Sequence, residues 1–125
     1  MLVGVPKEVK VHEYRVGLTP SSVRELIEHK HKVVVQTNAG TAIGLTDDMY
    51  RAAGAEILPT AAEIFAKAEM IVKVKEPQPA EIKMLHPGQL LFTYLHLAPD
   101  PEQTEGLIKS DCVAIAYETV TDARG

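Results

Sequence analysis

Short apolar runs alternate with amphipathic segments along the whole chain. The runs are nearly continuous rather than alternating residue by residue with polar side chains, a pattern typical of strands that are covered on both faces of a sheet. We therefore predict six strands, at residues 2–5, 32–36, 55–58, 70–74, 89–94 and 112–117.

Helix-start signals occupy the segments between these strands. N-cap residues precede four predicted helices, and Pro79 opens a shorter one that we expect to continue to Leu85. The four N-cap residues are Thr19, Thr46, Thr60 and Asp100. Strands that alternate with helices pair in parallel, because each helix returns the chain to the starting edge. The predicted fold class is α/β: an open, mostly parallel sheet with helices on both faces.

Composition limits the kind of partner that the chain can bind. Its 125 residues are typical of one domain with its own core. The net charge of −4 and the lack of a long basic run argue against nucleic acid. No apolar stretch approaches the roughly 20 residues that cross a bilayer, so no membrane partner is expected. Cys112 is the only cysteine, which excludes an internal disulfide and is typical of a reducing, cytoplasmic compartment.

Candidate chemistry lies at the C-terminal ends of the predicted strands, where open parallel sheets bind their ligands. The segment from Lys7 to Arg15 follows the first strand, Lys75 the fourth, His96 the fifth and Glu118 the sixth. Parallel strands end at the same edge of a sheet, so we expect these basic and titratable groups to meet at one rim.

Arg15 has two interpretations that the sequence leaves open. It could be a surface arginine paired with Glu8 or Glu13, which lie in the same segment. It could instead anchor a carboxylate or a phosphate, because a planar guanidinium donates two parallel hydrogen bonds to either group.

Lys75 and His96 also have alternative interpretations. Strand alternation would put Lys73 and Lys75 on one side, and Lys75, nearer the strand end, is the better candidate for donating a hydrogen bond to a substrate oxygen. It could equally be a solvated lysine. His96 follows an apolar strand and could be a packed structural histidine, or a general acid/base of the side-chain type that titrates near neutral pH.

Nucleotide and metal sites are disfavoured within this chain. Residues 38–47 form a glycine-containing loop between a strand and a helix, but the spacing of Gly40 and Gly44 fits no dinucleotide or phosphate-loop motif. We expect a tight loop that needs a permissive backbone at both glycines. The paired histidine or cysteine spacing of a metal site does not occur, so no metal is predicted.

Five segments together resemble one known family. They are "VGVPKEVKVHEYRVGLTP", "NAGTAIGLTDDMYRAAGAEI", "IVKVKEPQ", "LLFTYLHLA" and "AIAYETV". In order and spacing they are similar to the N-terminal region of the alanine dehydrogenase and pyridine-nucleotide transhydrogenase superfamily. The pairing of "KVKEP" with "LFTYLHLA" is specific to that superfamily, and "KEVKVHEYRVGLTP" is more similar to the dehydrogenases. The resemblance spans essentially all 125 residues.

This resemblance implies that residues 1–125 are the N-terminal, substrate-binding portion of a Rossmann-like catalytic domain without a dinucleotide fingerprint. It implies reversible NAD-dependent oxidative deamination of L-alanine to pyruvate and ammonia, by a cytoplasmic and usually hexameric enzyme. Arg15 would hold the substrate carboxylate, Lys75 would contact the substrate and polarise its carbonyl, and His96 would act as acid/base. NAD would bind a second domain that this chain lacks, so the chain alone is expected to be inactive.

Three alternatives stand beside that interpretation. The chain could be part of the NAD(H)-binding alpha subunit of a proton-translocating transhydrogenase, a stand-alone small-molecule binding module, or a fragment of a longer gene product. The joint presence of Arg15, Lys75 and His96 favours the dehydrogenase. The sequence stops at "ETVTDARG", just after a strand, and we expect more chain to follow.

Overall fold

The computed structural model describes residues 1–125 and contains the six predicted strands. Their bounds are β1 Leu2–Val5, β2 Lys32–Gln36, β3 Glu56–Leu58, β4 Met70–Val72, β5 Leu90–Thr93 and β6 Val113–Ala116. All neighbouring strands pair in parallel, in the order β3-β2-β1-β4-β5-β6. The predicted α/β fold with an open parallel sheet is confirmed.

Five α-helices connect the strands. Their bounds are α1 Pro20–Glu28, α2 Asp47–Ala52, α3 Ala61–Lys67, α4 Pro79–Ile82 and α5 Pro101–Ser110. The side chains of all four predicted N-cap residues accept a hydrogen bond from a backbone N–H in the first turn of their helix. Each cap satisfies a donor that has no partner within the helix, which explains why these helices begin where the sequence predicted.

The strand order contains one switch point, between β1 and β4. The chain runs outward from β1 to β2 and β3, then crosses to β4 and continues outward to β5 and β6 on the other side. The connections after β1 and β4 therefore leave the sheet in opposite directions, which opens a crevice above their C-terminal ends. This crevice is where such sheets bind ligands.

Helices pack on both faces of the sheet, as predicted. Val23 of α1 and Tyr50 of α2 lie in one buried cluster with the β1 and β2 residues Val3, Val5, Val33 and Val35. Ile64 and Phe65 of α3 and Leu107 of α5 lie in a second cluster, with Ile71 and Leu91. The sheet is thus the middle of three layers.

Two predicted elements end two or three residues earlier than the sequence indicated, whereas β5 and β6 are each one residue shorter at both ends. The fourth strand stops at Val72 rather than residue 74, because the N–H groups of Val74 and Lys75 donate to the carboxylate of Glu8 instead of a neighbouring strand. The alternation used to place Lys73 and Lys75 on one side therefore does not extend to them. The short helix ends at Ile82 rather than Leu85, and tighter turns with i-to-i−3 bonds follow it.

Candidate active site

The connection after β1 carries Arg15 toward the switch point and is tied to the connection after β4. Lys10 forms an ion pair with Glu76, and Gly17 lies so close to β4 that an added Cβ would stand 2.6 Å from the carbonyl oxygen of Val72. The connection is long because it spans the crevice from one central strand to the other.

Arg15 is paired with Glu13. Its Nε donates to Oε2 at 2.9 Å, its Nη2 donates to Oε1 at 2.6 Å, and its backbone N–H also donates to this carboxylate. The Arg15 side chain is still 63% exposed. Of the two partners that the sequence left open, the structure selects Glu13. The remaining N–H groups of the guanidinium make no hydrogen bond within the chain and can donate to a ligand.

Lys75 lies within electrostatic range of this pair. The Arg15 guanidinium, chiefly by its hydrogen bonds, lowers the pKa of Glu13 to about 2 against the opposing effect of burial, and the Lys75 ammonium adds to the lowering. The same ion pair raises the pKa of Arg15. Glu13 is therefore ionised at neutral pH and holds the guanidinium in place.

Lys75 and His96 both lie against the ring of Tyr94. The Lys75 Nζ is 5.0 Å from the ring centroid, within the range of a cation–π contact. The His96 imidazole stacks on the same ring, with centroids 5.6 Å apart and planes inclined by 13°. The structure thus brings these two predicted residues to one aromatic side chain, which the sequence analysis did not select. The sequence does contain a signal for Tyr94, since this aromatic residue directly follows β5 and stands two positions before His96.

His96 has a backbone conformation that is uncommon for a residue with a side chain. Its φ is +44°, in the left-handed region. The Glu118 carboxylate accepts hydrogen bonds from the N–H of His96 at 2.9 Å and from that of Leu95 at 3.1 Å. These bonds lower the pKa of Glu118 although desolvation opposes them. Glu118, a predicted rim residue, thus contacts the backbone that carries His96.

A buried ion cluster lies below the rim, and the sequence analysis missed it. The Lys73 Nζ is 3.0 Å from Glu8 Oε1 and 3.0 Å from Glu81 Oε2, and all three side chains are at most 2% exposed. Burial raises the pKa of Glu81, although the charge of Lys73 opposes this. The position of Lys73 within an apolar run could have predicted the cluster. A buried ammonium needs carboxylates nearby.

Two further contacts fix the strand ends to each other. The Thr93 hydroxyl donates to the Lys75 carbonyl at 2.9 Å, and the Tyr117 hydroxyl donates to the Val74 carbonyl at 2.5 Å. Both acceptors lie directly after β4, and the donors belong to β5 and to the turn that follows β6. Together with the Glu8 contacts from the β1 side, these bonds hold the segment bearing Lys75 from both sides.

A cavity of about 300 Å³ opens beside Arg15. Its other polar lining residues are Lys7, Glu8, Glu13, Tyr14, Asn38 and Thr41. Lys75 and His96 do not line it, so the structure does not enclose the three predicted site residues in one pocket. They lie instead on the connections that follow β1, β4 and β5.

The glycine-containing loop differs in detail from its prediction. Gly44 has a φ of +83°, as expected, but Gly40 has a φ of −112°, which any residue adopts. Glycine is needed at position 40 for space, because a Cβ there would lie 2.8 Å from the backbone oxygen of Leu45.

The structure contains no group of three or more His, Cys, Asp or Glu side chains that could hold a metal ion. No helix has the length and apolar character to cross a membrane.

These features define a class of protein: an α/β domain with cationic and titratable side chains around the switch point of a parallel sheet, where small molecules bind. The chain belongs to the family described as "Alanine dehydrogenase/PNT, N-terminal domain", whose sequence profile matches residues 4–125. This confirms the family resemblance of the sequence.

Curated relatives named alanine dehydrogenase match nearly the whole chain. The protein from Methanococcus maripaludis is 52% identical over 96% of the chain and 32% of its own length. The one from Halomonas elongata is 50% identical over 100% of the chain and 34% of its own length. The chain thus spans about a third of the length of the curated relatives it matches.

Solved structures agree with this family membership. An L-alanine dehydrogenase superposes with a TM-score of 0.95 at 52% identity, over 99% of this chain and 34% of that one. A transhydrogenase from Sinorhizobium meliloti superposes with a TM-score of 0.91 at 26% identity, over 99% of this chain and 37% of that one. The transhydrogenase, the sequence-based alternative, is the more distant match.

Proposed function

We propose that residues 1–125 are the N-terminal, substrate-binding portion of an NAD-dependent alanine dehydrogenase. The reaction is reversible oxidative deamination of L-alanine to pyruvate and ammonia. The observation that carries the proposal is the placement of Arg15, Lys75 and His96 on connections that follow three adjacent strands, β1, β4 and β5, beside the switch point. The relatives at about half identity are named for this activity.

Arg15 binds the substrate carboxylate. The Glu13 pair supports this role, because it fixes the plane of the guanidinium while leaving other N–H groups exposed. A planar donor and a planar carboxylate form two parallel hydrogen bonds, which set the orientation of alanine as well as its affinity.

Lys75 donates a hydrogen bond to the carbonyl oxygen of pyruvate and stabilises the charge that develops there. Its half-buried position against the Tyr94 ring supports this role. A positive charge held in a partly desolvated site interacts more strongly with a developing oxyanion than it would in bulk water.

His96 transfers protons at the water or hydroxyl that is added to and lost from the substrate carbon. Its exposed position at the rim, stacked on Tyr94, supports this role, since the imidazole is restrained while one edge stays open to a ligand. Proton transfer by a positioned side chain contributes typically 10²–10⁴-fold to a rate.

NAD binds outside this chain in our proposal. The 125 residues contain no G-x-G-x-x-G segment, so they do not fit a dinucleotide of the usual kind. NAD would accept the hydride while bound to a separate domain. The 125-residue chain alone is therefore inactive. We further propose a cytoplasmic, hexameric enzyme, in keeping with the family and with the single cysteine.

The decisive experiment assays the complete translation product of the gene for NADH formation from L-alanine and NAD. We expect alanine-dependent absorbance, and we expect Arg15→Ala to raise KM for alanine and pyruvate roughly 10- to 100-fold through loss of charged hydrogen bonds. Arg24→Ala, at an exposed arginine of α1, is the matched control and should leave KM unchanged. Absence of alanine-dependent NADH would exclude the dehydrogenase and favour the transhydrogenase.

Calorimetry separates a stand-alone binding module from a portion of an enzyme. Millimolar pyruvate is titrated into the 125-residue chain and into its Arg15→Ala variant. Heat that disappears in the variant would support binding by the chain alone. No heat in either would exclude the module.

A further inference from the structure

Two carboxylates make the same kind of contact at two neighbouring strand ends. Glu8 follows β1 and accepts hydrogen bonds from the N–H groups of Val74, at 3.2 Å, and Lys75, at 3.0 Å. The Glu8 side chain is 1% exposed and is held by the Lys73 ammonium. A buried carboxylate thus sets the backbone at the position from which the Lys75 side chain projects.

Glu118 makes the corresponding contact one strand further along. It follows β6 and accepts hydrogen bonds from the successive N–H groups of Leu95 and His96. A left-handed φ is unfavourable for a histidine, so the backbone at His96 needs contacts that hold it. The carboxylate of Glu118 supplies two of them.

The strand order explains why the two contacts correspond. Lys75 and His96 follow the adjacent strands β4 and β5, and β1 and β6 flank this pair in the sheet. Each carboxylate comes from the connection that follows a flanking strand and bonds two successive N–H groups beyond the end of the strand next to it. Hydrogen bonds to an ionised acceptor are shorter and stronger than neutral ones.

We propose that Glu8 and Glu118 are positioning residues, which fix the backbone at Lys75 and His96 so that the ammonium and the imidazole meet the substrate in the crevice. This inference rests on the proposed function for its catalytic consequence. The geometric part, that the carboxylates set the local backbone, stands on the contacts alone.

Substitution of glutamate by glutamine tests the proposal with little change of shape. Glutamine removes the charge, and at position 8 it turns an NH₂ donor toward one of the two backbone N–H groups. At position 118, where Oε1 accepts from both N–H groups and Oε2 lies 3.3 Å from the Leu95 nitrogen, it replaces an acceptor near Leu95 by a donor. Glu118 is exposed, so Glu118→Gln is expected to fold. Glu105→Gln, at an exposed glutamate of α5, is the matched control.

In the 125-residue chain, NMR should show Glu118→Gln accelerating amide exchange at Leu95 and His96, on the order of tenfold. The scalar couplings that report φ at His96 should change as well. In the complete gene product, kcat should fall roughly 10²-fold with KM for alanine nearly unchanged, because misplaced catalytic groups cost about this much. Glu105→Gln should do none of this.

Glu8→Gln is the second variant, and its effect is measured at the amides of Val74 and Lys75. It should accelerate exchange of those two amides and lower kcat while the melting curve still shows a folded protein. If it does not fold, Glu118→Gln decides the proposal by itself.

Unchanged amide exchange and couplings in Glu118→Gln would overturn the inference. A lowered melting temperature with an unchanged kcat of the folded protein would also overturn it, because that result indicates a purely structural role. If the wild-type gene product makes no NADH from alanine, the proposed function fails. The amide and coupling data then still decide whether the two carboxylates set the backbone.

Discussion

At the residue scale, the rim is built from groups that are already paired within the chain. Arg15 is held by Glu13, Lys75 lies on Tyr94, and His96 stacks on that same ring. Each pair restrains a long or rotatable side chain before a ligand arrives. Restraint of this kind lowers the entropy lost on binding, so it favours a site that is formed in advance.

The Glu13–Arg15 pair gives a pH-dependent prediction. The pKa of Glu13 is about 2 in the folded chain, below the value of 4.5 for a free glutamate. Its contribution to stability is therefore present above pH 4.5 and is lost as the pH falls toward 2. An NMR titration of the Glu13 carboxyl carbon should show a midpoint near 2 in the wild type. In Arg15→Ala the midpoint should return toward 4.5, and a wild-type midpoint near 4.5 would show that the pair does not form.

His96→Ala tests the proposed acid/base. In the complete gene product we expect kcat to fall on the order of 10²–10⁴-fold, because proton transfer is lost, while the affinity for NAD changes little. His86→Ala, at an exposed histidine that precedes β5 and so lies at the opposite end of that strand, serves as the control and should leave kcat unchanged. Equal losses of kcat and of NAD affinity would show that His96 supports the fold instead.

The sequence predicted Arg15, Lys75 and His96 as site residues and named Glu13 as a candidate partner of Arg15, but it did not predict the buried ion cluster below them. Arg15, Lys75 and His96 stand at strand ends, which the pattern of apolar runs reveals. The ion pair between Lys73 and Glu81 was not predicted. It joins the connection after β4 to α4, and no rule of sequence spacing relates these two positions. Which carboxylate turns inward toward a buried lysine is decided by tertiary packing.

At the element scale, the buried cluster joins three elements. Lys73 follows β4, Glu8 follows β1, and Glu81 lies in the first turn of α4, where it also accepts a hydrogen bond from the N–H of Gln78. The cluster therefore fixes the start of α4 and the connection after β1 to the end of the central strand.

Lys73→Met should be strongly destabilising for this reason. It leaves two carboxylates buried without a cation, which costs about 3–5 kcal/mol of the free energy of unfolding. Burial already raises the pKa of Glu81, so protonation favours the folded state as the pH falls. The loss measured by urea unfolding should thus be smaller at pH 5 than at pH 7.

The exposed Lys67 supplies the control for that experiment. Lys67→Met should change the free energy of unfolding by less than about 0.5 kcal/mol, as surface substitutions usually do. A Lys73→Met loss that matches the control, or that grows on acidification, would contradict the account of the cluster.

Gly17 sets the distance between the Arg15 connection and β4. A Cβ at this position would lie 2.6 Å from the Val72 carbonyl oxygen and 3.2 Å from the Lys73 nitrogen, both of which are backbone atoms that cannot move aside. Gly17→Ala should push the connection away, lower stability by about 1–3 kcal/mol, and raise KM for alanine in the complete gene product.

Gly106→Ala is the matched control. An added Cβ there would lie 2.9 Å from a methyl group of Ile82, a side-chain atom that can shift, and alanine is the better helix former by about 1 kcal/mol. We expect nearly unchanged stability and an unchanged KM. If both variants behave alike, close approach at Gly17 does not position Arg15.

The elements themselves were largely predictable. The bounds of β1 and β2 match the sequence prediction, and the four N-cap residues mark the starts of their helices. The largest error in a strand fell at an end where a side chain takes over backbone hydrogen bonds. β4 ends early because Glu8 captures two N–H groups, a contact between residues more than 60 positions apart. The local pattern of apolar and polar residues contains no information about such a contact.

At the scale of the whole molecule, one face of the sheet is covered only in part. α1 and α2 pack over β1, β2 and β3 on that face, whereas β4, β5 and β6 present apolar side chains to an opening. We call these side chains the open face: Met70, Leu90, Phe92, Val113 and Ile115, which share one side through the parallel register. A cavity of about 370 Å³, lined mostly by apolar groups, adjoins it beside Phe92.

The open face predicts measurable hydrophobic character in the 125-residue chain. Val113 is 50% exposed and Ile115 38% exposed, and both lie on the edge strand β6, which has a partner strand on one side only. Contiguous exposed apolar surface of this kind binds hydrophobic dyes and promotes association between chains. The chain should therefore enhance the fluorescence of anilinonaphthalene sulfonate and elute in gel filtration above its mass of 13.6 kDa at high concentration.

Two isoleucine-to-lysine variants localise the effect. Ile115→Lys places a charge within the open face and should reduce both dye fluorescence and association. Ile108→Lys makes the same change at a more exposed isoleucine, 73% accessible on α5, outside the open face. Because dye binding requires a contiguous apolar surface rather than a single exposed side chain, Ile108→Lys should leave the signal unchanged. Equal effects of the two variants would show that scattered exposed residues, not the uncovered half of the sheet, produce the signal.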